Sequence, residues 1–161
     1  AIRMKEPSQA DLIRKRLMFV HMRLYATPEY LERKGTTQSA ADLSLHRLIC
    51  QNINSAQVGA GASLVQSLLS NDIPSVLYVN NYFGVLQAVL HDLGVGVLPD
   101  YVTQDFPNLV RILPDLESGD IPVFLAYPEE LRQSKRISAF RDFVQEEIIS
   151  HRKQLRQQGK L

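Results

Sequence analysis

The chain has 161 residues, 45% of them hydrophobic and 22% charged, with a formal net charge of +1. That composition supports an ordinary core in one full domain or two small lobes and excludes a disordered chain, while so small a net charge gives no large field to steer the chain onto nucleic acid. No apolar stretch approaches the roughly 20 residues of a membrane span, "AIRMKEPSQ" lacks the apolar core of a secretory signal, and the single cysteine, Cys50, excludes an internal disulfide and cysteine-based zinc sites; a cytoplasmic protein is expected.

In chain order, "AIRM" reads as a short run that begins inside a strand, and "DLIRKRL" follows it. In "MFVHMRLYAT", Phe19, Val20, Met22, Leu24 and Tyr25 predict a strand. Thr27 and Pro28 fit an N-cap and first helical position, Glu29 and Glu32 suit the first turn of "PEYLERKG", and Gly35 is its expected C-cap. A helical turn is predicted over residues 40–45 and a strand over 46–50. From Ile53 to Pro74 the apolar residues follow neither period cleanly, and the expectation is two short strands around a loop.

The clearest unit is "SVLYVNNYFGVLQAVLHDLGVGVLPDYV". Residues 75–79 are strand-like, and Asn80 or Asn81 is a natural N-cap. Phe83, Leu86, Val89, Leu90 and Leu93 form an apolar stripe at helical spacing over 82–93. Gly94 is the expected cap, and "VGVLP" reads as a buried strand. Strand, helix and strand in such short order predict a right-handed parallel crossover and an α/β fold. A short helix in "DYVTQDF", strands in "NLVRILP" and "IPVFLAYP", and a last helix capped by Ser134 complete the chain. Ile137, Phe140, Val144 and Ile148 share a face of that helix. Its basic continuation, "HRKQLRQQGK", is either a solvated tail or a contact for nucleic acid or lipid.

A helix N-terminus presents unpaired N–H groups and partial positive charge beyond the strand's carboxyl end, which is a ready site for a carboxylate or another anion. Asn80, Asn81 and Tyr82 stand there, to bind a ligand or only to cap and turn. The histidines His21, His46, His91 and His151 show no metal-ligand spacing. "GAGAS" has Leu64 where a phosphate loop needs its third glycine. No G-x-S-x-G elbow and no carboxylate pairing points to catalysis, and neither a metal nor a cofactor is expected.

The segments "DLIRKRL", "MRLYATPEYLERKG", "DLSLHRLI", "YVNNYFGVLQAVLHDLGVGVLPDYV", "NLVRILPDL", "PVFLAYP" and "SKRISAFRDFVQEEI", taken in this order, resemble the effector-binding region of LysR-type transcriptional regulators. The resemblance covers nearly the whole chain. It implies a periplasmic-binding-protein-like two-lobed α/β fold, with residues 1–27 in a first lobe, 28–116 in the second, and 117–161 returning to the first with the C-terminal helix and basic tail. It also implies that the first lobe is incomplete, without its opening strand, helix and strand, so that "AIRM", "FLAY" and the last helix expose apolar surface. The DNA-binding winged helix-turn-helix would lie outside this chain.

By the same resemblance, Thr27 stands at the lobe crossover, Asn80, Asn81 and Tyr82 face the cleft from the second lobe, and Pro99 is a cleft-wall position. Each has a plainer role, Thr27 as a helix cap and Pro99 as a strand stop. Cys50, ending "HRLIC", is placed near the cleft, either as a buried inert thiol or as an oxidant sensor. The resulting expectation is a sensory domain that binds a small, anionic effector between its lobes and controls DNA binding in a dimer or tetramer. Redox sensing through Cys50, a stand-alone solute-binding module and an enzyme on the same fold are the alternatives.

Overall fold

The computed structural model describes residues 1–4, 9, 11–52, 62–70, 73 and 75–157. In chain order its elements are β1 (Ile2–Arg3), β2 (Leu12–Val20), β3 (Met22–Ala26), α1 (Pro28–Lys34), β4 (Arg47–Gln51), α2 (Ala62–Leu69), β5 (Ser75–Val79), α3 (Tyr82–Leu90), β6 (Val95–Pro99), β7 (Val110–Glu117), β8 (Ile121–Pro128) and α4 (Lys135–Gln157). Two compact units divide them: Ala1–Phe19 with Pro122–Leu161, and the continuous stretch Val20–Ile121.

The first unit carries the sheet β1-β8-β2. β1 runs antiparallel to β8, with Ile2 opposite Leu125, and the Ala1 nitrogen donates to the Ala126 carbonyl at 2.6 Å. Leu125, Ala126 and Tyr127 are buried, so the expected exposure of "FLAY" is not found: β8 is the middle strand and is flanked on both sides. Ile2 and, on α4, Phe140, Phe143 and Ile149 are exposed.

The second unit is built on the sheet β5-β4-β6-β3-β7. β4 runs parallel to both β5 and β6, whereas β3 runs antiparallel to β6 and β7. The crossover through α3 is therefore parallel, and it steps over one strand: β4 lies between β5 and β6. α3 lays Val85, Leu86 and Val89 against Tyr25, Ile49 and Leu98 to form the core. Neighbouring positions on that face are three and four apart, which leaves Phe83, two residues before Val85, on the outer side with 68% of its surface exposed. The stripe expected to include Phe83 and Leu93 is thus narrower.

Three local expectations change. α3 stops at Leu90 and is followed by Asp92 in the left-handed region (φ 57°). Gly94 is not its cap; a Cβ there would run into the Arg47 carbonyl, so glycine is required for two backbones to approach. The expected pair of strands over 53–74 gives way to α2, with Leu64, Val65 and Leu68 buried on one face; residues 53–61 lie outside the described residues. At α1, by contrast, Thr27 accepts from the Tyr30 amide, Pro28 opens the helix and Gly35 (φ 94°) closes it, as its sequence predicts.

Candidate functional site at the carboxyl ends of the parallel strands

In the second unit, the parallel strands β4, β5 and β6 end together at Gln51, Val79 and Pro99. β3 begins at the same end, with Met22 opposite Pro99. The chain enters this unit at Val20 and leaves it at Ile121, and the two connections are tied: the Met22 amide donates to Ser118 Oγ at 2.9 Å and the Ser118 amide donates to the Met22 carbonyl at 3.0 Å.

α3 starts immediately beyond β5. Asn81 has extended backbone, and its Oδ1 accepts from the Gly84 amide at 2.7 Å. That cap accounts for one early donor, while the Val85 amide returns to the Asn81 carbonyl. The amides of Tyr82 and Phe83, in the first turn, have no carbonyl within the helix to bond. Tyr82 is half-buried, and burial together with the nearby Tyr101 pushes its hydroxyl up to about 12, so it stays protonated. Asn80 is exposed, and its carbonyl accepts from Gln51 Nε2 at 3.0 Å. Gln51 is 4% exposed, and its other amide atom, Oε1, is buried with no hydrogen-bond partner among the described residues. Gln51 is not among the site residues expected from the sequence. A signal existed, a glutamine closing the apolar run "RLICQ", where a polar residue is buried only to make or await a hydrogen bond.

Beside this lies a charged chain. His21 Nδ1 is 3.3 Å from Asp100 Oδ2, and its Nε2 is 2.9 Å from Asp120 Oδ1. Arg23 lies between Asp100, at 3.9 Å, and Glu117, to which its Nε donates at 2.8 Å; Arg111 reaches the same Glu117 oxygen at 2.9 Å. Burial pushes the Glu117 carboxyl up, but the Arg23 hydrogen bond and the charges of Arg23, Arg111 and His21 prevail and hold it below its ordinary value.

The predicted site residues separate into three groups. Asn80, Asn81, Tyr82 and Pro99 come together at this end, although Pro99, the last residue of β6, is buried. Cys50 lies one residue before Gln51 but is 0% exposed, and burial pushes its thiol up to about 11. Thr27 requires a correction. It follows β3, which runs antiparallel to its neighbours, and so stands at the opposite end of the sheet, where its hydroxyl donates to Asp92 and caps α1. The chain passes between units at Phe19 and Val20, not at Thr27. A shallow cavity of about 380 Å³ is also at the Thr27 end, lined by Tyr30, Arg33, His46, Arg47 and Leu93 among others. Among the described residues, no cluster of histidine, cysteine and carboxylate side chains could hold a metal ion, and no helix is long and apolar enough to cross a membrane.

This arrangement has known counterparts. Residues 1–148 match the family model described as the LysR substrate binding domain. An HTH-type transcriptional regulator of Haemophilus influenzae is 24% identical over 131 residues, covering 80% of this chain and 46% of that protein; the chain spans about half the length of the curated relatives it matches. Among solved structures, the regulatory domain of CrgA, a LysR-type transcriptional regulator from Neisseria meningitidis, superposes with a TM-score of 0.76 at 21% identity, covering 91% of this chain and 74% of that one. The full-length virulence activator AphB of Vibrio cholerae gives 0.65 at 21% identity, over 90% of this chain and 49% of that one. The fold is the periplasmic-binding-protein-like α/β fold of LysR regulatory domains. With residues 1–148 of its 161 inside the family match, the chain belongs to the LysR substrate binding domain family.

Proposed function

We propose that this chain is the signal-sensing domain of a LysR-type transcriptional regulator in the bacterial cytoplasm, and that it takes a small anionic effector at the carboxyl ends of β4, β5 and β6. The observation that carries the reading is the start of α3. Its first amides and the Asn81 cap stand beyond the carboxyl ends of parallel strands, the position at which open α/β sheets bind ligands, and a helix start favours negative charge. Binding there acts beside Met22 and Ser118, where both connections to the other unit run. A ligand that favours one arrangement of the units shifts their equilibrium, and DNA heads outside this chain, in a dimer or tetramer, report the shift.

Redox sensing is the less favoured reading, because a reactive thiol needs access and a lowered pKa, and Cys50 has neither. The test is thermal unfolding of this chain in a panel of small mono- and dicarboxylates at millimolar concentration. A ligand bound only by the folded state raises the midpoint in proportion to the logarithm of its concentration. The proposal expects such a rise for at least one acid, reduced at least tenfold in affinity by Asn81→Ala. A panel that leaves the midpoint unmoved, or a rise indifferent to Asn81→Ala, sinks it.

A further inference from the structure

The buried oxygen of Gln51 carries the proposed site further. The side-chain amide is oriented by its own bond: Nε2 donates to the Asn80 carbonyl at 3.0 Å, and turning the amide over would set oxygen against oxygen. Oε1 is thereby committed as an acceptor, and among the described residues it has no partner. Buried side-chain oxygens nearly always have one, from protein or water, and an exception calls for a cause.

Its position supplies that cause. Gln51 ends β4, in register with Val79 at the end of β5. The carbonyl it binds belongs to Asn80, next to the Asn81 cap of α3. An acceptor with nothing to accept from and a helix start with N–H groups to give therefore adjoin. An acid alone satisfies only the second. Tyr82, half-buried at the same helix start, keeps its hydroxyl protonated and so retains a donor there.

We propose that the effector is a carboxylate that carries its own hydrogen-bond donor close to the acid group, as a hydroxy or amino acid does, with the carboxylate at the first turn of α3 and the donor on Gln51 Oε1. This rests on the effector-site reading above and names the ligand class for it. Gln51 is then the residue that separates such an acid from its deoxy analogue. A site built around a hydrogen bond rejects the analogue that lacks the donor, because the protein group is left unpaired.

The experiment compares matched pairs on this chain: malate with succinate and lactate with propionate, with alanine as the amino counterpart, by calorimetric titration and by thermal shift. At least one donor-bearing acid is expected to bind about tenfold or more tightly than its partner without the donor, a difference of about 1.4 kcal/mol. Gln51→Met, similar in size and without the acceptor, is expected to bring the two members of that pair within about twofold of each other. The wild-type comparison stands even if that variant does not fold. Equal binding within every pair overturns the donor inference and leaves the anion site intact, and so does discrimination that survives in folded Gln51→Met. No binding by any of these acids overturns both.

Discussion

His21 Nε2 and Asp120 Oδ1 lie 2.9 Å apart although 99 residues separate them, and on the other side of the ring Nδ1 faces Asp100 at 3.3 Å. One imidazole thus joins the link between β2 and β3 to the link between β7 and β8. Asp120 is 65% exposed and Asp100 only 20%, so the two contacts differ in worth. Exposed ion pairs contribute about 0–1 kcal/mol. A double-mutant cycle of His21→Ala with Asp120→Asn, read by urea unfolding, is expected to give a coupling under about 0.5 kcal/mol, and His21→Ala with Asp100→Asn a larger one. The reverse order contradicts the assignment of Asp100 as the inner partner.

Acid stability follows from Glu117. Its carboxyl is held below the ordinary value in the folded protein, with burial opposing and Arg23 and Arg111 prevailing. A depressed folded-state pKa stabilises above the unfolded value, about 4.3 for glutamate, and that stabilisation is lost as pH falls through the folded value. Glu117→Gln should therefore lower stability at neutral pH and flatten the decline on acidification below about pH 5. Parallel decline in the two proteins would show that the Arg23 contact does not govern this titration.

Glycine 94 is a packing requirement. A Cβ there meets the carbonyl of Arg47, a backbone atom that cannot swing aside, and overpacking of this kind costs about 1–3 kcal/mol. Gly94→Ala is expected in the upper part of that range by chemical denaturation. Gly119→Ala, whose Cβ meets nothing, is the control and should fall within about 0.5 kcal/mol of the parent.

Thr27 and Asn81 both cap helices, yet they stand at opposite ends of one sheet. Removing either cap should cost about 1 kcal/mol. Only Asn81→Ala is expected to weaken carboxylate binding; Thr27→Ala should leave it unchanged at matched stability. Loss of binding in both variants would mean that the site is not confined to the α3 end.

Cys50 should resist reagents until the protein unfolds. With the thiol fully buried and raised to about 11, maleimide labelling at neutral pH is expected to track global unfolding, and peroxide should leave the native protein unmodified. Labelling much faster than unfolding would restore the sensor reading.

How far the sequence could be read depended on where a residue's role is decided. Local chemistry decided α1, with threonine, proline and glycine at its start and stop, and the β5, α3 and β6 succession, with asparagine before an apolar stripe. α2 was missed because Gly59 and Gly61 precede it and its apolar residues come in adjacent pairs, which obscured the spacing of Leu64, Val65 and Leu68. Gly94 was misassigned because its reason lies across the sheet, at Arg47. The site divided in the same way. Asn80, Asn81 and Tyr82 belong to one turn and could be grouped by spacing. Gln51 had the local signal of a glutamine closing "RLICQ", but its place beside them, like the distance of Thr27 from them, depends on strand order and direction: β4 inserts between β5 and β6, and β3 runs the other way.

Because the stretch from Val20 to Ile121 is continuous while the other unit is assembled from both ends of the chain, synthesis and folding have a natural order. A ribosome finishes the inner unit first, and domains generally fold as units. Once its Met22 and Ser118 bonds close, β2 and β8 are delivered side by side, and the entropy of closing so long an intervening loop has already been met. A lesion in the inner unit should then impair maturation of the outer one, while truncation within α4 should leave the inner unit able to form.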